Sequence, residues 1–140
     1  MAIVFVEAKP EEYGATDQRL LAPVRDYEPG LWWVERKQYR RDDPNWAHSG
    51  AHQVEEVCAV LGLATDRFRV CGVNTDICVF FTMLGLNRLY PEARLELVER
   101  ACNTPYCDSR PLAVRDFHMY AARYGLGSYV IELMEESETK

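Results

Sequence analysis

Val70-Cys71-Gly72-Val73-Asn74-Thr75-Asp76-Ile77-Cys78-Val79 reads as a buried strand turning into a helix that carries a cysteine on its first turn. The strand is expected over Phe68 to Val73, after the polar connection Ala64-Thr65-Asp66-Arg67, and the helix over the apolar run Ile77 to Leu86. Thr75 stands at the expected N-cap, where its hydroxyl can accept from the amide of Ile77 or Cys78. Such a position favours a thiolate, because the helix dipole stabilises negative charge at the N-terminus. The same unpaired N–H donors can hold an oxyanion. A cysteine at such a junction is also a common small core residue, so residue type alone leaves both roles open.

Apolar runs alternate with helix-period segments from Leu31 to Leu133, which argues for βα units and a mainly parallel open sheet flanked by helices. Helices are expected over Thr16 to Tyr27, Ala51 to Leu61 and Leu112 to Tyr124. Strands are expected at Ala2 to Val6, from Leu31, at Leu95 to Val98 and around Ser128 to Ile131. Pro105, Asp108, Ser109 and Pro111 mark a loop at a strand's C-terminal end, where ligands of open α/β sheets bind. The reading gives one domain over residues 1–134, followed by an acidic tail, Glu135 to Lys140.

The octapeptide Gly72 to Val79 resembles the G-V-x-T-D-x-C-V signature of the isochorismatase-like cysteine hydrolases, which include nicotinamidases, N-carbamoylsarcosine amidases and ureidoacrylate amidases. The likeness runs from about Leu31 onward. Leu31 to Tyr39 is similar to the family's lysine-bearing strand, and Glu99-Arg100-Ala101-Cys102-Asn103-Thr104 to its acidic residue and D-A-C segment. The fold implied is a Rossmann-like three-layer α/β domain with a shortened N-terminal half.

The resemblance also implies a mechanism and a site. Cys78 would form a covalent acyl-enzyme, Lys37 would favour the anions, and an acid on the first strand would move the proton. Lys37 departs from the family's K-x-x-Y-S-x-F pattern, with Tyr39 only two residues on and Arg40, Arg41 and Asp42 following. Glu7 falls where the family has aspartate, one methylene longer, a change that can displace a base by about 1 Å and cost on the order of 10²-fold in rate. An alternative alignment makes Ile3 to Glu7 the family's second strand, and then the first strand and its acid are missing. Asn74, Thr75, Tyr39 and Trp46 are the expected substrate contacts, with backbone amides around Asn74 and Cys78 receiving the oxyanion. A cis peptide linking Val73 to Asn74 is a further implication of the resemblance.

Composition narrows the classes. With 48% apolar and 27% charged residues and a net charge of −6, the chain fits a soluble, cytoplasmic domain rather than a nucleic-acid binder. No apolar run reaches transmembrane length. Five scattered cysteines form neither a disulfide framework nor a CxxC pair, so a reducing compartment is expected. His48 and His52 have the i, i+4 spacing of a zinc pair but lack a third ligand, so no metal and no cofactor are expected. Trp32, Trp33, Tyr39 and Trp46 suit either core or an aromatic wall, and His118 a plain helix position. A shortened sheet leaves an edge that a second copy would cover, so a homo-oligomer is expected.

The expected function is cleavage of a C–N bond in a small amide or carbamoyl compound through a Cys78 acyl-enzyme. The alternative is a catalytically silent protein of the same fold that binds a small molecule or a partner protein. An isochorismatase-type vinyl ether hydrolase fits less well, because those members lack the cysteine.

Overall fold

The structure is a computed structural model, described here at residues 2–7, 11, 15–25, 32–36, 50–103 and 109–132. Its elements run β1 (Ile3–Glu7), α1 (Gln18–Arg25), β2 (Trp32–Arg36), α2 (Ala51–Leu61), β3 (Arg67–Val73), a wide helical turn (Thr75–Val79), α3 (Phe80–Leu89), β4 (Arg94–Asn103), α4 (Arg110–Tyr124) and β5 (Val130–Glu132). The chain is therefore mixed α/β, with a parallel open sheet of three strands, β3-β4-β5, flanked by helices. No described helix is long and apolar enough to cross a membrane.

Alternation along the central strands sets the core. Leu95 and Leu97 of β4 are 1% and 0% exposed and join Phe80, Met83, Leu84 and Leu86 of α3 and Phe117 and Ala121 of α4 in one cluster. Phe68, Val70 and Ile131 pack against it from β3 and β5. Phe80 sits at the centre, edge-on to Phe117 at 5.3 Å and to Phe81 at 5.2 Å. Each such burial contributes about 1.5–3 kcal/mol, which fixes both helices on one face of the sheet.

Helix ends follow local chemistry. Ser109 caps α4 by accepting from the Leu112 amide at 3.4 Å, with Pro111 in the first turn. Gly62 closes α2, and the Leu63 amide bonds to the Cys58 carbonyl at 3.0 Å. Gly50, before α2, has φ +102, and a Cβ there would lie 2.6 Å from Cγ1 of Val6. Only glycine gives that backbone angle and that close approach of α2 to β1.

The structure departs from the sequence reading in several places. Instead of one sheet there are two: β1 pairs only with β2, in parallel from Ile3 opposite Trp32 to Glu7 opposite Arg36, and neither pairs with β3 among the described residues. Strand propensity predicts that strands form but not which edges meet. The helix expected from Ile77 opens instead with the wide turn at Thr75, and the regular helix runs three residues further, to Leu89. β4 continues five residues past Val98 to Asn103, because its register slips: Val70 opposes Leu97 but Gly72 opposes Cys102. The final strand is Val130–Glu132 rather than Ser128 to Ile131.

Candidate functional site

Cys78 lies in the turn that leaves the C-terminal end of β3, the end of an open sheet where ligands bind. Gly72, with φ +142, lets the strand bend before the turn, and the Val73–Asn74 peptide bond is cis, as the resemblance implies. The Asn74 carbonyl then accepts from the amides of both Ile77 (3.2 Å) and Val79 (3.0 Å). The second bond spans five residues, wider than an α-helical turn. Cys78 itself is half-buried, and its carbonyl accepts from the Thr82 hydroxyl at 2.8 Å. Its backbone is therefore anchored to the following turn of α3.

The expected cap is displaced by one residue. Asn74, with extended backbone angles, occupies the N-cap, and its side chain makes no capping bond. Because the Asn74 carbonyl takes the turn's amides, Thr75 is drawn inside the first turn and is 3% exposed. Asp76 is 8% exposed, a buried carboxyl-bearing residue to which the sequence analysis gave no role of its own. Asn74 Oδ1 is buried and has no hydrogen-bond partner among the described residues.

Glu7 ends β1 and is engaged elsewhere. One of its oxygens, Oε1, accepts from the Thr16 amide at 2.6 Å and the Thr16 hydroxyl at 2.7 Å. The Thr16 hydroxyl, then its amide, hold the Glu7 carboxyl below its usual 4.5. That makes it a weaker base than an ordinary glutamate. Among the described residues no hydrogen bond joins Glu7 to Cys78, and β1, which ends in Glu7, and β3, which leads into the Cys78 turn, belong to separate sheets.

Lys37, Tyr39 and Trp46 lie outside the described residues, as do His48, Thr104 to Asp108 and the acidic tail. His52 stands 3.1 Å from Glu55 on the same helix. Among the described residues no group of three or more His, Cys, Asp or Glu is arranged to hold a metal. His118 contacts the Tyr129 hydroxyl, a satisfied helix position.

Cys58, Cys71 and Cys102 are the other thiols among the described residues. Burial pushes Cys58 and Cys71 up, Cys71 although the residue as a whole is exposed, and Cys102 to about 11. Cys102 also donates to the Val98 carbonyl at 3.3 Å. These three are protonated near neutral pH and suit packing rather than attack.

Within β4, Glu99 is 7% exposed and faces Arg110 Nε at 3.7 Å. The sequence reading marked Glu99 through the family likeness, but nothing in the sequence signalled its arginine partner eleven residues on. Comparison of the chain with protein-family models, with curated proteins and with solved structures finds no match.

Proposed function

We propose that the chain is a small cysteine hydrolase that cleaves the C–N bond of a small amide or carbamoyl compound. The observation that carries this reading is the position of Cys78, half-buried in a wide turn at the C-terminal end of a parallel strand. The sulfur attacks the carbonyl carbon, forming a C–S bond. The tetrahedral intermediate then expels the amine, which leaves with the thiol's proton. Water hydrolyses the thioester and restores the thiol. Since the Ile77 and Val79 amides already donate to Asn74, the oxyanion falls to other amides near Asn74 and Cys78. Lys37 supports the charge balance, and Thr75, Tyr39 and Trp46 contribute to the substrate's surroundings. The protein acts as an isochorismatase-like homo-oligomer in the cytoplasm, the outer edge of β3, unpaired among the described residues, supporting assembly with a second copy.

A second reading is favoured by one observation. Glu7 is held by Thr16 and is not joined to Cys78, which suits a protein that binds a small molecule without turning it over. Release of ammonia or amine from a panel of small primary amides and ureido acids separates the two readings. Turnover that disappears in Cys78→Ala supports the hydrolase. Thermal stabilisation by a panel member without turnover supports the binder.

A further inference from the structure

The turn that carries Cys78 is apolar outward and polar inward. Val73 and Ile77 are 61% and 41% exposed, while Thr75 and Asp76 between them are 3% and 8% exposed. Single exposed apolar residues are ordinary, but a buried polar pair flanked by an exposed valine and isoleucine inverts the usual partition. Apolar side chains are driven from water, so two of them held outward across one short turn run against that trend.

Hydrogen bonding accounts for the inversion. The Asn74 carbonyl accepts from the Ile77 amide at 3.2 Å and the Val79 amide at 3.0 Å, and this closure draws Thr75 and Asp76 inward. Val73 and Cys78 stand immediately before Asn74 and Val79, the two residues that the wider bond joins, and Ile77 precedes Cys78 directly. The half-buried Cys78 therefore has an exposed apolar residue on each flank.

The outer row of β3 changes character on the way to this turn. Arg67 and Arg69 at its start reach Glu96 at 3.0 and 3.5 Å, where Arg94 joins them at 2.6 Å. The row ends on Cys71 and Val73, both exposed. From Cys71 to Val79 the exposed residues are Cys71, Val73 and Ile77, and none of them is charged at neutral pH.

We infer that Val73 and Ile77 select the acyl half of the substrate, and that this half is a short aliphatic chain: the compound is an amide of an apolar carboxylic acid rather than a carbamoyl or carboxylate-bearing one. The inference rests on the hydrolase reading of Cys78. When the C–S bond forms and the C–N bond breaks, the amine departs with the thiol's proton, and the acyl half stays on sulfur beside the residues that flank it. An aliphatic chain laid over Val73 and Ile77 removes apolar surface from water on both sides of the contact. A carbamoyl nitrogen or a carboxylate set there would lose water and gain no hydrogen bond from either side chain.

The test uses the full chain and the p-nitrophenyl esters of acetic, butyric and hexanoic acids, with the p-nitrophenyl monoester of succinic acid as the charged control. Acylation of Cys78 is followed by mass spectrometry at sub-saturating ester, and each rate is divided by that of the same ester with N-acetylcysteine. The corrected rate is expected to rise about two- to fourfold per methylene from acetate to hexanoate, with the succinate ester slower than butyrate. Ile77→Ser and Val73→Thr each lower the hexanoate-to-acetate ratio, the former by about threefold or more. Because the ratio is internal to each chain, loss of folded protein does not imitate it, and the native series decides without the variants should they fail to fold. Acylation by acetate with no gain toward hexanoate, a succinate ester faster than butyrate, or folded variants that both keep the native ratio would overturn this inference and leave the hydrolase reading in place. A Cys78 that no ester acylates would overturn both.

Discussion

Thr16 directs both its backbone N–H and its hydroxyl at a single oxygen of Glu7, at 2.6 and 2.7 Å. The pair pins the segment before α1 to the end of β1. It also decides what Glu7 can do, because a carboxylate stabilised by two donors gives up its charge reluctantly. Thr16→Val removes one donor and keeps the backbone bond.

That variant is expected to lose about 0.5–1.5 kcal/mol in urea unfolding near neutral pH. The sign of its pH dependence follows from the lowered Glu7 value. The Thr16 bonds stabilise fully above the unfolded carboxyl value and lose their effect as pH falls through the lower folded one. The difference between wild type and Thr16→Val therefore shrinks on acidification. A difference that grows toward acid would contradict the assignment.

Gly50→Ala tests the contact between α2 and β1. It places a Cβ 2.6 Å from Val6 Cγ1 at a residue with φ +102. A loss of about 2 kcal/mol is expected from clash and backbone cost together. Adding Val6→Ala should recover part of it, since the clash goes and the backbone cost stays. No recovery would show that β1 does not meet α2 there.

Phe80→Ala removes the ring at the centre of the core, fully buried and edge-on to Phe81 and Phe117. Thermal or denaturant unfolding should show a loss of about 3–5 kcal/mol. Because Phe80 opens α3 immediately after the Cys78 turn, any turnover of the kind proposed for Cys78 should fall with it.

Gln53 gives the opposite expectation. It is 2% exposed, yet its Oε1 has no hydrogen-bond partner among the described residues. Gln53→Leu, of similar size and apolar, is expected to be neutral or stabilising by up to about 1 kcal/mol. A clear destabilisation would mean that Oε1 has a donor in solution.

The parts of the fold that were legible in the sequence are those with a local cause. Gly72 and Cys78 bracket a turn that the apolar strand and the Thr75-Asp76 pair announce, and Ala51 to Leu61 is found as helix α2 with the expected bounds. Local chemistry could not say that Asn74 rather than Thr75 caps the turn, because that depends on which carbonyl the Val79 amide reaches. Nor could it show the sheet in two pieces, since strand pairing is a long-range choice. The arginine cluster on Glu96 was hidden for the same reason. Arg67 and Arg94 meet only because β3 and β4 pair in a register that sets Arg67 opposite Arg94. Glu7 was a candidate only through the family likeness, at the position of the family's aspartate, and its Thr16 partner, nine residues on, left no mark in the motif.

The central claim is that Cys78 becomes acylated during turnover. The most direct measurement treats the native chain with an activated acyl ester such as p-nitrophenyl acetate, quenches in acid, and maps the adduct by peptide mass spectrometry. The account predicts one acyl group, held as a thioester on Cys78, absent from Cys78→Ser and lost on incubation with water at neutral pH. An unmodified Cys78, or acylation spread over Cys71 and other thiols with no preference for Cys78, would contradict it.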